Sequence, residues 1–284
     1  MTYLCVTCGT QFKPSDQPPE HCPICEDERQ FVSLQGQQWT TLNQLQKSHR
    51  NTIYQEAAGV WGILTVPQFG IGQRALLIRT AKGNILWDCV SLINADTVEL
   101  IKALGGISAI AVSHPHYYTS MIEWSRAFDG VPIYLHEDDR EWVQRPDPVI
   151  RFWKGETYSL RQDLTLIRLG GHFPGFQALH LANGEDGDGA IFCGDQPQVC
   201  PDKRYVSFMY SYPNFVPLDA ASVRRIVSAL EPFAFTKLYG AWPNFVVQEN
   251  AKEVVRRSAE RYLRALESVS RVESRSPEML LNKR

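Results

Sequence analysis

The chain has 284 residues, of which 44% are apolar and 21% charged, and its formal net charge at pH 7 is −2. This length allows one large domain with an appendage, and the composition is that of a globular protein. The near-neutral charge disfavours nucleic acid as a partner, and no apolar run approaches the roughly 18 residues of a membrane span. Because the N-terminus has no signal-peptide pattern, we expect a cytoplasmic protein without a membrane partner.

Four of the seven cysteines form two CxxC pairs near the N-terminus, Cys5 with Cys8 and Cys22 with Cys25. In a reducing compartment this pattern predicts a metal site rather than disulfides. Each pair can form a tight knuckle, and four sulfurs complete the tetrahedral shell of a structural zinc. The knuckles also resemble rubredoxin, which would imply iron and electron transfer, but no glycine follows Cys25. We therefore prefer a zinc ribbon, which the metal folds and which either packs on the larger domain or binds a protein partner.

The predicted organisation is a ribbon over residues 1–30, a polar connector over 31–57, the main domain over 58–270 and a polar tail over 271–284. In the connector, Trp39–Leu45 predicts a short helix with Thr40 or Thr41 as its N-cap. Apolar patterning then predicts two blocks of strands, each followed by helices. The predicted strands are Val60–Val66, Arg74–Arg79, Asn84–Asp88, Ile107–Val112, Val131–Leu135, Leu164–Leu169, Ala178–Leu181 and Ala190–Cys193. The predicted helices are Ala95–Leu104, Ser120–Phe128, a helix from the N-cap Asp219 to Leu230, and Val247–Val269.

Metal-ligating residue types follow three of these strands. His114 and His116 come directly after Ile107–Val112, so the loop can turn both imidazoles toward one ion. His172 follows a second strand and Asp195 a third. Three histidines and an aspartate at strand ends predict a site for zinc or iron. The aromatic stretch Phe208–Phe215 is a candidate wall for a ligand pocket beside it.

The order of these residues resembles the metallo-β-lactamase superfamily, in which an aspartate ends an early strand and HxHxDH, a lone His, a lone Asp and a final His follow. The resemblance spans roughly residues 58–245 and includes Asp88 as the early aspartate. It implies an α+β fold, a four-layer αββα sandwich. It also implies that His114, His116 and His172 hold the first metal of that family, with Asp195 as the bridging ligand.

Two departures from the family pattern concern its second metal. Tyr118-Thr119 stands where the family has Asp-His, and Tyr239–Trp242 contains no counterpart of the last histidine. Tyrosine and threonine are poor zinc ligands, so we expect a single zinc or iron at the histidine site. A phenol at Tyr117 or Tyr118 either donates a hydrogen bond to a developing oxyanion, which makes Tyr118 a candidate catalytic residue, or fills the vacant second site.

The resulting hypothesis is a metal-dependent hydrolase of a small acyl substrate, namely an ester, thioester, lactone or amide. One metal ion would activate water, and Asp195 would hold or deprotonate that water. The alternative is a non-catalytic binding or scaffold protein on a decayed fold, with the ribbon as its interaction module. A third possibility is a redox protein in which an iron-containing ribbon feeds a non-haem iron centre, as a resemblance to flavodiiron proteins suggests. A fold shared by many reactions does not choose among these functions.

Overall fold

The computed structural model describes residues 1–184 and 187–273, with side chains through residue 267. Its N-terminal unit has two short strands and two helices. These are β1 (Leu4–Cys5), α1 (Pro23–Glu26), β2 (Trp39–Thr40) and α2 (Leu42–Ser48). Thr41 caps α2, because its side chain accepts a hydrogen bond from the backbone of Gln44. The predicted capped helix is therefore present, although it begins at Leu42 and Trp39–Thr40 pairs with β1 instead.

The first large sheet has seven strands in sequential order. Two helices lie between its strands. The elements are β3 (Arg50–Ala57), β4 (Val60–Val66), β5 (Ala75–Ile78), β6 (Ile85–Trp87), α3 (Ala95–Ala103), β7 (Ala109–Ala111), α4 (Met121–Ala127), β8 (Ile133–His136) and β9 (Ile150–Trp153). Strands β3 to β6 pair antiparallel, and β6 to β9 pair parallel. The carboxyl ends of β6 and β7 therefore meet at one edge of the sheet.

The second large sheet has six strands, in the order β10-β11-β12-β13-β18-β19. Two short hairpins and two helices complete this half. The elements are β10 (Thr157–Arg161), β11 (Leu164–Arg168), β12 (Gln177–Leu181), β13 (Ala190–Phe192), β14 (Gln198–Val199), β15 (Val206–Ser207), β16 (Met209–Ser211), β17 (Val216–Pro217), α5 (Ala220–Leu230), β18 (Lys237–Tyr239), β19 (Val246–Val247) and α6 (Ala251–Glu273). Asp219 caps α5 by accepting from two backbone amides, as the sequence predicts.

Three apolar layers hold these elements together. Helices α3 and α4 pack on the outer face of the first sheet, and α5 and α6 pack on the outer face of the second. Between them, the inner faces of the two sheets pack against each other. Strand β5 shows the alternation, because Leu77 faces the helices and Leu76 faces the other sheet. The predicted αββα sandwich is confirmed.

The first sheet also contains two strands that the sequence did not predict, β3 and β9. Strand β3 lies within the predicted connector and pairs with β4 from Arg50↔Val66 to Ala57↔Val60. It is an edge strand whose residues are all exposed or half-buried, so it carries no continuous apolar run. Strand β3 therefore lacks the apolar pattern by which a buried strand is recognised in a sequence.

The last helix begins at Ala251 rather than at the predicted Val247. Val246 and Val247 form β19 instead, paired with β18, in keeping with the preference of β-branched residues for strands. The helix continues to Glu273. Residues 274–284 of the predicted polar tail lie outside the described residues. In the part of the chain that the structure describes, no helix combines the length and the apolar character that crossing a membrane requires.

Candidate metal centres

The four N-terminal cysteines form a compact, buried cluster. Their four sulfur atoms all lie within 4.8 Å of one another. The sulfurs of Cys5 and Cys25 are 3.5 Å apart, and those of Cys8 and Cys22 are 3.6 Å apart. A tetrahedral zinc with Zn–S bonds of about 2.3 Å separates its sulfurs by about 3.8 Å. The cluster therefore fits a four-thiolate metal site, as the two CxxC pairs predict.

One polar group next to the cluster favours a thiolate, because the Gln37 amide donates to the sulfur of Cys5 over 3.1 Å. Burial raises the pKa of Cys8, so a buried thiolate there requires a compensating cation. Zinc and iron both supply this charge.

The histidine loop owes its shape to Asp88 and Ser113. Asp88 follows β6, and its Oδ1 accepts from the backbone N–H of Ser113 over 2.7 Å and from its hydroxyl over 2.8 Å. The Ser113 oxygen in turn lies 2.9 Å from Nδ1 of His114. Because the single hydrogen of the Ser113 hydroxyl is donated to Asp88, Nδ1 of His114 must be the donor in its contact with Ser113 Oγ. Nε2 of His114 is left free for a metal.

His172 and Asp195 come from the second sheet, after β11 and β13. His172 Nδ1 donates to the backbone oxygen of Tyr210 over 2.6 Å, which directs Nε2 to a point 3.2 Å from Nδ1 of His116. Asp195 Oδ2 lies 3.6 Å from Nε2 of His114. Gly194 has φ 56°, and a Cβ there would come within 2.7 Å of the Ser113 hydroxyl. A glycine is therefore required for this close approach of the two sheets.

The ligand atoms of the four predicted residues lie within 4.8 Å of one another. A tetrahedral zinc with Zn–N bonds of about 2.0–2.1 Å separates its ligand atoms by about 3.4 Å. This is close to the 3.2 Å between His172 and His116 and the 3.6 Å between Asp195 and His114. Nε2 of His114 and Oδ1 of Asp195 are buried and have no hydrogen-bond partner. Unpartnered buried polar atoms cost free energy, so this set of donors fits a cation.

Burial also controls the protonation of the site. His114 and His172 are fully buried, and desolvation lowers the pKa of His172 to about 4. Desolvation raises the pKa of Asp195 to about 8. At neutral pH the imidazoles are thus neutral, which is the form that binds metals. Asp195 holds a proton when no cation is bound.

The phenol that reaches the site belongs to Tyr117. Its hydroxyl donates to Oδ2 of Asp195 over 3.1 Å, and its ring lies 4.3 Å from that of His114. Tyr118, which the sequence singled out as the catalytic candidate, is buried in the same apolar cluster as Tyr117, but the hydroxyl that donates to Asp195 is that of Tyr117. The difference arises because a 3₁₀ turn over Pro115–Tyr117 follows His114, and this turn directs Tyr117 toward the ligands.

The aromatic loop after Asp195 lies against the site, where the sequence predicted a pocket wall. Besides the Tyr210 oxygen that accepts from His172, the Tyr212 hydroxyl donates to the backbone oxygen of Asp195. Sequence reasoning missed one contact, from Arg29, whose guanidinium donates to the backbone oxygen of His172 over 3.1 Å. No local pattern marks this arginine, because its partner lies far along the chain.

The comparisons with solved structures identify the fold as that of the metallo-β-lactamases. VMB-1 superposes with a TM-score of 0.58 at 13% identity, over 76% of this chain and 98% of its own. DIM-1 metallo-β-lactamase superposes with a TM-score of 0.54 at 14% identity, over 75% and 98% respectively. The chain belongs to the family of Bacillus subtilis (strain 168) YmaE, described as an uncharacterized protein. The two are 48% identical over 268 residues, which is 94% of this chain and 97% of YmaE. No family model matches the chain.

Proposed function

We propose that this protein is a metal-dependent hydrolase with one metal ion on His114, His116, His172 and Asp195. Its substrate would be a small ester, thioester, lactone or amide. The observation that carries the proposal is the set of four buried ligand atoms within 4.8 Å of one another. The fold supports it, since DIM-1, which shares that fold, is named a metallo-β-lactamase. Zinc suits the nitrogen and oxygen ligands, and iron suits them as well.

A metal in this position supplies Lewis-acid chemistry, polarising a carbonyl and lowering the pKa of water. The residues of the chain perform the remaining tasks. Asp195 would bind the metal through Oδ2, which lies 3.6 Å from Nε2 of His114, and its Oδ1, which has no hydrogen-bond partner, would orient a water molecule and accept its proton. The Tyr117 hydroxyl holds the other oxygen of the same carboxylate. The aromatic rings of Phe173 and Phe176 pack on the histidines and exclude bulk water from the site.

The test is metal stoichiometry by elemental analysis, in the wild type and in two double variants. We expect two metal ions per chain in the wild type and one in His114→Ala/His116→Ala. Cys22→Ser/Cys25→Ser serves as the matched control, because it should lose the cysteine-bound metal and keep the other. A screen of esters, thioesters, lactones and amides would follow. One ion in both the wild type and the histidine variant would contradict the proposal.

The burial of the site favours one second candidate, a non-catalytic protein with a structural metal. Structural sites have four protein ligands and no open position, and His114, His116, His172 and Asp195 are all at most 3% exposed. The N-terminal unit would then serve to bind a protein partner. Two metal ions per chain without hydrolysis of any acyl substrate would favour this alternative.

A further inference from the structure

Residues 27–30, here called the strap, cover the histidine site from the outside. They follow α1 directly, so they begin two positions after Cys25. Arg29, at their centre, is only 8% exposed, although it lies in a short irregular segment. Such a segment buries an arginine only where it docks on another part of the molecule. Here it docks on the loops that carry the metal-ligating residues.

The side chain of Arg29 packs directly behind the ligands. Its guanidinium carbon lies 3.9 Å from the centre of the Phe173 ring, and that ring lies 4.9 Å from the ring of His116. One nitrogen of the guanidinium donates to the backbone oxygen of His172 over 3.1 Å. Asp27 binds the other side of the guanidinium with both carboxylate oxygens, over 2.5 and 2.8 Å. The strap therefore contacts the backbone of His172 directly, and one aromatic ring separates it from the imidazole of His116.

The strap is held on its outer side by side-chain hydrogen bonds rather than by a sheet. The Asn214 amide donates to the backbone oxygens of Glu28 and Gln30, over 2.9 and 3.0 Å. The Ser211 hydroxyl donates to the backbone oxygen of Arg29 over 3.1 Å. Asn214 itself is exposed to solvent. The Tyr210 hydroxyl also donates to the carboxylate of Glu28. A segment held on its outer side by side-chain bonds alone, without a sheet or helix, can open locally without unfolding the sandwich.

The cysteine cluster supports the strap from the other end. Trp142 packs against this cluster, and its ring lies 5.5 Å from Phe173 and 5.1 Å from the guanidinium carbon of Arg29. We propose that the strap is a closing segment, positioned by the cysteine-bound metal, which seals the histidine site in this structure and opens to admit substrate. This inference rests on the proposed function and adds its regulation. Loss of the cysteine-bound metal would release the strap and leave the histidine site accessible.

The experiment compares Asn214→Ala with Asn43→Ala, in which an exposed asparagine of α2 is changed. Two readouts are followed in the metal-loaded full-length proteins. Hydrogen exchange reports the opening of the strap, residues 27–30, and elemental analysis reports how fast a chelator removes the histidine-bound metal. Since two hydrogen bonds are lost, we expect both rates to rise by about tenfold in Asn214→Ala. Both should stay at the wild-type value in Asn43→Ala.

Faster exchange of the strap without faster loss of the metal would overturn the proposal. Arg29→Gln is the second variant, because it removes the contacts with Phe173 and Asp27, and it is subject to the same criterion. Failure of the proposed function is a separate outcome. If strap opening speeds metal loss but neither wild type nor variant hydrolyses an acyl substrate, the strap still closes the site and the hydrolase is refuted.

Discussion

Replacement of Tyr117 by phenylalanine tests how the single-metal site is held together. The change removes one hydroxyl, which donates to Oδ2 of Asp195 over 3.1 Å in a fully buried setting. A hydrogen bond to a charged group contributes about 1.5–3 kcal/mol. About 1.4 kcal/mol corresponds to a factor of ten, and loss of a residue that hydrogen-bonds a metal ligand weakens metal binding by roughly 10–100-fold. We therefore expect the metal affinity of the histidine site to decrease by roughly 10–100-fold.

The matched control is Tyr118→Phe, one position along the chain. Tyr118 is also buried and belongs to the same apolar cluster as Tyr117, but it is the Tyr117 hydroxyl that donates to Asp195. We expect this variant to bind metal with wild-type affinity. The assay is a competition titration against a chromophoric chelator. The four-cysteine site, which neither change touches, serves as an internal reference in each sample.

Two results would refute this reasoning. Wild-type affinity in Tyr117→Phe would show that the phenol does not hold the carboxylate. Equal weakening in Tyr118→Phe and Tyr117→Phe would show that the loss reflects general damage to the loop. A selective loss in Tyr118→Phe would restore the residue that the sequence pattern favours.

The remaining predictions concern stability. Arg74→Met should lower the free energy of unfolding by about 3–5 kcal/mol in urea titrations, because it leaves Glu56 as an unpaired buried charge; adding Glu56→Gln should recover part of this loss. In the metal-free protein, the pKa of Asp195 is raised to about 8, so the folded state retains a proton that the unfolded state releases above about pH 4. Its contribution to stability is therefore lost as pH rises through 8: unfolding should become easier with rising pH, by at most about 1.4 kcal/mol per pH unit from this group, and this loss should level off above pH 8. A flat profile in the metal-free protein would contradict this assignment. Cys22→Ser/Cys25→Ser should make the first 48 residues sensitive to limited proteolysis, because the metal supplies their folding energy.

The ligand residues could be predicted because their signal is local. His114 and His116 follow a short buried strand, and His172 and Asp195 each follow another strand. Strand ends meet at one edge of a sandwich, so ligand-type residues there converge. Arg29 has no such signal, since its contact with His172 spans 143 positions. Only the docking of the N-terminal unit on the main domain brings the two together.

The choice between the two tyrosines could not be made from sequence for a different reason. The direction of the side chains that follow His114 depends on whether the chain there is extended or forms a 3₁₀ turn. The residues Pro115-His116-Tyr117 are compatible with either conformation, and only the folded backbone shows the turn. Whether Tyr117 or the next residue, Tyr118, contacts Asp195 therefore depends on the conformation of a single turn. Periodicity cannot resolve a difference that small.

In the proposed site a phenol takes the place of a second metal, and this affects the charge of the site. With three neutral imidazoles and one carboxylate, a single dication leaves a net charge of about +1 in a buried cavity. Tyr117 donates to Asp195 without adding charge. Such a site matches the one oxyanion that forms when a carbonyl is attacked. Phosphodiester cleavage develops more negative charge and is assisted by two ions that stabilise the attacking and leaving oxygens. The charge balance therefore favours acyl substrates over phosphodiesters.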